Sequence, residues 1–332
     1  MAIQDELFQL IQSLTPSEKR YFKVNASKGG DAKSNYMQLF EAMDAQKDEY
    51  DEQKLKAKHS KKPFVKYLSA EKKQLWEHIM KWMRAYRADS TVDNKINDLL
   101  QDEAFYRDKG LKPQREKAIA KAKELATKYE RFHLLQEILE REIYFVEEFE
   151  QNSLTEPVLR LLTELQQLSL KHQTFLELWS KNKEIFASYR SGEDKKNEVF
   201  KLRMDKTISE VEQLRPRITE SFRLQVAFYR SHSNYQNLFR NHEKSYEATL
   251  SKYQLYQEKP QFKIEEAFNY KICLANLISR AQSAGKTKEF LQFIQELKSI
   301  PTTTFNEEGE VFQNVYFLEH LHYINSGEFD KA

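Results

Sequence analysis

Hydrophobic residues recur through most of the chain at intervals of three and four positions, which is the spacing of one face of an α helix. In 70–88, Leu75, Ile79 and Trp82 fall on one stripe and Trp76 widens it, so this helix is expected to be buried from two sides. Lys, Glu and Gln fill many of the positions between such stripes. The pattern predicts amphipathic helices rather than strands, whose hydrophobic positions alternate with a period of two.

Glycine and proline are rare, with 7 of each among 332 residues. Both residues interrupt helices, and both are common in the turns that connect strands. Their scarcity leaves few positions for a sheet or for a glycine-rich phosphate-binding loop. The chain is therefore expected to fold as an all-α protein.

Helix-start signals agree with the periodicity. Thr15-Pro16-Ser17-Glu18 places a capping hydroxyl, a proline in the first turn and a glutamate that reaches back to the cap. Together these features predict helices near 2–13, 16–26, 35–46, 51–58, 70–88, 91–108, 113–129, 131–150, 154–171, 173–190, 195–214, 217–231, 234–257, 262–283, 286–299 and 305–325.

Three glycines mark short turns between long amphipathic helices: Gly110, Gly285 and Gly327. Each turn is expected to join two antiparallel helices in a hairpin. We therefore predict an N-terminal helical domain in 1–90, followed by an array of stacked hairpins in 91–332.

The last of these turns resembles that of a tetratricopeptide repeat. Tyr323 is followed four positions later by Gly327 and five positions after that by Ala332, as in that family. The turn at Gly110 differs from the tetratricopeptide pattern at Arg115, where the family prefers alanine. Its matching residues are Tyr106, Gly110, Ile119 and Ala122.

The repeats that the resemblance implies are divergent. Around Gly285, Ala281 and Phe290 replace the aromatic and small residues of the family. Gly285 and Gly327 are 42 residues apart, whereas the standard repeat has about 34 residues. Because a repeat array needs a polar capping helix at its end, the natural protein is expected to continue beyond Ala332.

The resemblance implies a right-handed α-solenoid in which the first helix of each hairpin lines a concave groove. Such tetratricopeptide-like proteins bind a protein or peptide without catalysis, and polar groove residues hold the partner's backbone or carboxylate. Carried over by position, Asn276 and Asn314 are the candidate groove residues. The N-terminal segments LIQSLTPSEKRYF and YMQLFEAMD resemble the start of a group of uncharacterised bacterial helical-repeat proteins, a likeness that implies no activity.

The charges are dense but balanced, with 53 Lys+Arg against 51 Asp+Glu and a net charge of +2, which is typical of solvated helix faces. One stretch, 53–70, has no acidic residue and includes Phe64 and Tyr67. A candidate basic patch in it comprises Lys54, Lys56, Lys58, Lys61, Lys62 and Lys66. Contact of this patch with phosphates would make the protein a nucleic-acid-associated regulator, which is the alternative function. Five acidic residues between Asp44 and Glu52, and the lack of arginine in the patch, favour a solvated face instead.

Motifs for catalysis are missing from the sequence, which contains no HExxH, paired CxxC, GxSxG or P-loop. Glu130-His133 and Glu319-His322 have the spacing of di-iron carboxylate ligands, but they lie 189 residues apart in a glutamate-rich chain. Cys273 lies in an apolar run and is expected to be an inert core thiol. We therefore predict no catalytic residue, metal or cofactor, and no enzyme activity.

The location is predicted from the same features. One cysteine forms no internal disulfide, which suits a reducing compartment. The N-terminus MAIQDELFQLIQSL lacks the basic region and cleavage site of a signal peptide. No segment approaches the roughly 20 consecutive apolar residues of a membrane helix. A cytoplasmic protein without a membrane partner is expected.

Overall fold

The fold is that of an all-α protein. A computed structural model describes residues 3–27, 34–46, 49–87, 91–149, 156–218, 220–301, 305–327 and 330. The regular elements among these residues are seventeen α helices and one short 3₁₀ helix, and helices account for 85% of the described residues. The all-α prediction is confirmed. The chain divides into two compact units, Met1–Asp98 and Leu99–Ala332.

The first unit is a small helical bundle with an aromatic core. Its helices are α1 (Ile3–Ser13), α2 (Pro16–Ser27), α3 (Asn35–Asp44), α4 (Glu52–Lys58), α5 (Pro63–Lys66), α6 (Leu68–Tyr86) and the start of α7 (Val92–Asp108). Phe22 and Phe40 are fully buried between them, with Leu75 and Ile79 of α6. Trp76 is 37% exposed, because it lies about 100° round the helix from Leu75. Burial of α6 from two sides is therefore a wrong prediction.

The second unit is built mainly from helices that pack against their neighbours in sequence. Its helices are the rest of α7, α8 (Lys112–Lys128), α9 (Phe132–Phe149), α10 (Glu156–Arg190), α11 (Glu198–Gln213), the 3₁₀ helix Arg215–Arg217, α12 (Phe222–Leu238), α13 (His242–Glu258), α14 (Gln261–Glu265), α15 (Ala267–Ser283), α16 (Thr287–Ser299) and α17 (Phe305–Ser326). Helix α12 packs against α10 and α13, and α15 packs against α13 and α16. The fully buried Leu274, Leu277, Phe290 and Ile294 form part of the α15–α16 core.

Helix α10 is a single element of 35 residues, from Glu156 to Arg190. The sequence analysis divided it into 154–171 and 173–190, and that division is wrong. Neither glycine nor proline occurs near His172, so nothing in the local sequence ends the helix there.

The boundary predicted between 217–231 and 234–257 is also wrong. Helix α12 continues to Leu238, and the turn lies at 239–241. Ser231, at the expected boundary, is buried, and its hydroxyl donates at 3.0 Å to a carbonyl of its own helix one turn earlier. A serine can lie inside a helix when its hydroxyl bonds to the carbonyl one turn earlier, as here.

Six described helix ends are followed by a residue in the left-handed region, and one of these residues is Gly192, with φ of 70°. Gly110, Gly285 and Gly327 have φ of 68°, 71° and 75°, and Glu130 and Arg240 have φ of 50° and 59°. After Gly110, Glu130, Arg240 and Gly285, the following amide donates at 2.8–2.9 Å to the carbonyl five positions earlier, the bond of a Schellman motif.

We expect Gly285→Val to destabilise the protein, because a residue with a Cβ in the left-handed region costs roughly 1–2 kcal/mol. A Cβ at Gly285 would have no atom within 4 Å, so the cost comes from the backbone alone. Urea unfolding of Gly285→Val and Gly285→Asn separates the cost of the left-handed backbone from any other effect of adding a side chain. Asparagine tolerates this conformation, and equal losses in both variants would contradict a backbone origin.

Glu130 caps the start of a distant helix as well as ending α8. The Ser221 hydroxyl donates to Glu130 Oε2 at 2.6 Å, and the backbone N–H groups of Phe222 and Arg223 donate to its Oε1 and Oε2 at 2.8 and 2.9 Å. A carboxylate in this position satisfies free N–H groups and meets the positive end of the helix dipole. The turn after α8 thereby fixes where α12 begins.

Arg131, the next residue, extends this contact to the start of α15. The prediction of a single helix at 262–283 is wrong, because the helical structure is interrupted at Glu266, between α14 and α15. Arg131 pairs with Glu265 at 2.6 Å and with Glu266 at 3.3 Å, and Arg223 pairs with Glu266 at 2.6 Å. We name this group the turn clamp; its members are Glu130, Arg131, Arg223, Glu265 and Glu266.

We expect Glu130→Ala to lower the free energy of unfolding by about 1–3 kcal/mol, because the first N–H groups of α12 lose their acceptor. The matched control is Glu124→Ala, which removes an exposed glutamate from α8. Urea unfolding of both variants tests the clamp. A loss no larger than that of the control would show that the clamp contributes nothing to stability.

Candidate functional site

The second unit contains a cleft of about 470 Å³ between α10, α12 and α15, with one residue from α13 at its lining. Its lining side chains are Asn182, Lys183, Phe186 and Tyr189 of α10, Arg230, Ser233, Asn234 and Asn237 of α12, Lys252 of α13, and Asn269, Ile272, Asn276 and Arg280 of α15.

The charge of this lining is entirely positive. Its four ionisable cations are Lys183, Arg230, Lys252 and Arg280, and none of the thirteen lining residues is acidic. No ion pair joins Arg230, Lys252 or Arg280 to any acidic residue that the structure describes. The cleft therefore presents uncompensated positive charge.

Small side chains allow Lys252 to reach the cleft from α13. Ser233 of α12 and Ser245 and Thr249 of α13 are buried, and the Ser233 and Thr249 hydroxyls lie 2.6 Å apart. The Ser245 hydroxyl donates to the Ser233 carbonyl at 3.0 Å. Because Ser245, Thr249 and Lys252 follow the spacing of one helical face, the lysine continues this narrow interface and is only 4% exposed.

Burial controls protonation around Lys252. It lowers the pKa of the Lys252 ammonium, and the charges of Arg230 and Arg280 act in the same direction, whereas Cys273 opposes them. Burial also lowers the pKa of Arg280 and raises the pKa of the Cys273 thiol, although Lys252 offsets part of the latter change. The cysteine is fully buried.

Five asparagines give the cleft a wall of amide groups. Asn182 is 6% exposed, and its Nδ2 has no hydrogen-bond partner. The amides of Asn234, Asn237 and Asn276 likewise bond to no described residue, whereas Asn269 donates to Glu266 at 3.4 Å. Amides both donate and accept hydrogen bonds, so this wall matches the alternating N–H and C=O groups of a peptide backbone.

Aromatic side chains border the cleft on α10. A smaller lobe of about 120 Å³ shares Asn182, Arg230 and Asn269 with the main cleft. Its other lining residues include Phe175, Trp179 and Phe222 and one acidic residue, Glu266. Trp179 is 48% exposed, and Phe186 of the main cleft is 44% exposed. The cleft thus offers apolar surface beside its cations and amides.

The structure places one of the two predicted groove residues in this cleft. Asn276 lines it from α15. Asn314 belongs to α17, but its side chain lies outside the described residues, as do Lys331 and Ala332 of the last predicted turn. Whether Asn276 and Asn314 share a groove stays a prediction.

The lysines of the predicted basic patch all lie exposed on α4, α5 and the segment between them. Lys56 pairs with Glu52 at 2.7 Å, and Lys66 lies 5.5 Å from the ring centre of its neighbour Tyr67. Phe64, expected to stand beside the patch, is fully buried and contributes no surface. The patch therefore presents lysines and one exposed aromatic ring.

The two Glu-x-x-His pairs have separate structural surroundings. Glu130 belongs to the turn clamp, and Glu319 pairs with Lys298 at 2.8 Å. Among the described residues, no three His, Cys, Asp or Glu side chains are grouped as metal ligands.

Sequence reasoning missed most of the cleft residues. One available signal was the number of asparagines in helices α10, α12 and α15, because asparagine is a poor helix former. A second was Lys252, which occupies a core-facing position of α13 between Thr249 and Tyr256.

Comparison of the chain with protein-family models, with curated proteins and with solved structures yields no significant match. The cleft is therefore interpreted from its own chemistry. None of the helices in the described ranges is long and apolar enough to cross a bilayer.

We expect Lys252→Met to be at least as stable as the wild type near about pH 7, because it removes a buried charge without an acidic partner. The folded protein binds the Lys252 proton less tightly than the unfolded chain. Wild-type stability therefore rises with pH between the lowered pKa and the unfolded value of about 10.4. Urea unfolding near about pH 7 and about pH 9.5 should show the advantage of the variant shrinking as pH rises.

Lys201→Met is the control, since it removes an exposed lysine from α11 and should change stability by less than about 0.5 kcal/mol. If Lys252→Met is clearly less stable than the wild type at neutral pH, Lys252 has a structural role. That result would contradict the interpretation that its buried charge is unfavourable for folding.

Proposed function

We propose that this chain is a non-catalytic peptide-binding protein, an adaptor or scaffold that holds an extended segment of a partner in the cleft between α10, α12 and α15. In this proposal the hairpins α10–α11, α12–α13 and α15–α16 stack as divergent tetratricopeptide-like repeats. The first helix of each hairpin faces the ligand, and the second lies behind it. The protein acts in the cytoplasm, where its cysteine stays reduced.

One observation carries the proposal: asparagines without described partners line the cleft on three helices. Asn182, Asn234 and Asn276 belong to α10, α12 and α15 in turn. A peptide in extended conformation exposes backbone N–H and C=O groups at regular intervals, and these need partners when they leave water. Amides on successive helices supply both donors and acceptors along such a path.

The dimensions and the apolar rim also suit a peptide. A volume of about 470 Å³ lies within the range of roughly 300–1,000 Å³ that ligand sites occupy. Trp179, Phe186 and Tyr189 each leave 44–48% of their surface exposed along α10. Aromatic side chains supply most of the contact energy in many interfaces, so this row can bind the apolar side chains of the segment.

The test is selection of binders from a library of displayed random peptides, followed by fluorescence anisotropy with the selected sequences. We expect Asn234→Ala combined with Asn276→Ala to weaken binding about thirtyfold, because each lost hydrogen bond contributes about 1 kcal/mol. Asn97→Ala, which removes an exposed asparagine from α7 in the first unit, should leave the affinity unchanged.

Two outcomes would count against the proposal. One is a library that yields no peptide whose binding depends on the cleft asparagines. The other is tight, salt-sensitive binding of duplex DNA or structured RNA that is abolished when Lys56, Lys58, Lys61 and Lys62 are changed to Gln. That second result would favour the nucleic-acid-associated alternative.

A further inference from the structure

We propose that Arg230, Lys252, Arg280 and Asn182 form an oxyanion subsite of the cleft, which takes a phosphoryl group or adjacent carboxylates carried by the bound peptide. This inference rests on the proposed peptide-binding function and adds the chemical class of the ligand. The subsite consists of hydrogen-bond donors from four helices, and the ligand supplies the acceptors.

Other buried cations of the chain show what Lys252 lacks. Arg115 pairs with Glu103 at 2.7 Å, Arg131 pairs with Glu265 at 2.6 Å, and Lys72 pairs with Glu52 at 2.5 Å. Lys252 is as buried as these three residues, at 4% exposure, but has no carboxylate partner in the described chain. Burying an unpaired charge is unfavourable, so a negatively charged ligand would reduce the free-energy cost of burying the Lys252 ammonium.

Two donor groups at the cleft have no hydrogen-bond partner. The Nδ2 of Asn182 and the Nε of Arg280 are buried without hydrogen-bond partners. Both are donors, and both residues line the same cleft as Lys252 and Arg230. A ligand that satisfied them together would have to be rich in acceptor atoms, as phosphoryl and carboxylate groups are.

The surrounding charges predict proton uptake on binding. Arg230 of α12 and Arg280 and Cys273 of α15 act electrostatically on Lys252, and Glu296 of α16 acts on Cys273. Burial lowers the pKa of Lys252, and an oxyanion beside it would raise the pKa again. Binding should therefore bring a proton to Lys252, and affinity should fall as pH rises through the pKa of Lys252 in the complex.

The experiment is isothermal titration calorimetry with four probes: inorganic phosphate, N-acetyl-phosphoserine methylamide, N-acetyl-Glu-Glu amide, and N-acetyl-serine methylamide as the neutral control. Repeating each titration in buffers of different ionisation enthalpy measures the protons taken up. We expect the phosphorylated or the diglutamate probe to bind, the neutral serine probe not to bind, and binding to take up protons. The stronger of the two anionic probes identifies the source of the oxyanion.

Lys252→Met should weaken binding of the anionic probe at least about tenfold, since a hydrogen bond to a charged group contributes about 1.5–3 kcal/mol, and it should abolish proton uptake. Arg280→Gln is a second variant, on a different helix, in case the first perturbs folding. Lys201→Met removes the same charge from an exposed site on α11 and should leave binding unchanged.

Failure of the subsite is distinguishable from failure of the proposed function. If displayed peptides bind through Asn234 and Asn276 but no anionic probe binds, or if Lys252→Met binds such a probe as well as the wild type, the subsite is refuted and the peptide groove stands. If anionic probes bind through Lys252 but no peptide binds, the peptide function is refuted. Tighter binding of an oligonucleotide than of the phosphoserine probe would overturn the assignment to a peptide.

Discussion

The cleft depends on the turn clamp, because the clamp places two of the three helices that form it. The Glu130 carboxylate binds the first N–H groups of α12, and Arg131 binds the carboxylates immediately before α15. Charged groups that are partly removed from water bind more strongly than exposed pairs, whose net contribution is small. The turn at Glu130 and Arg131 therefore sets where α12 and α15 begin, although Glu130 is more than ninety residues from Phe222 in the sequence. The positions of Arg230 and Asn276 depend on these helix starts.

Several acidic residues of the second unit pair with cations between helices, and none lines the main cleft. Glu103 is completely buried between Arg115 and Arg141. Burial alone would raise the pKa of Glu103, but the two guanidinium groups hold it below its ordinary value. Glu265 and Glu266 are engaged in the clamp. An almost neutral chain can thus contain a locally cationic site, because net charge says nothing about where the charges are paired.

The sequence predicted helices and glycine turns well because both are local properties. Gly285 occupies the left-handed region that a helix end requires, and the glycine itself was the signal. Glu130 and Arg240 occupy the same region without being glycine, and Glu130 is compensated by long-range contacts that no local pattern contains. No glycine marks the turn at Arg240, and the sequence analysis placed the turn after α12 several residues too early. Asn276 was found from repeat register, whereas Asn182 and Lys252 depend on how three helices meet.

The hydroxyl-rich interface between α12 and α13 joins the fold to the proposed chemistry. Ser233, Ser245 and Thr249 bond to one another or to nearby backbone, so they fill a polar interface without needing an outside partner. Lys252, one turn further along α13, interacts with the Cys273 thiol, which is only a weak acceptor, and has no carboxylate partner among the described residues. Within a single turn, the same face of α13 therefore changes from hydroxyls that bond to nearby groups to a buried lysine without a carboxylate partner. That change, at the point where the helix reaches the cleft, is what an internal packing role does not explain and a bound oxyanion would.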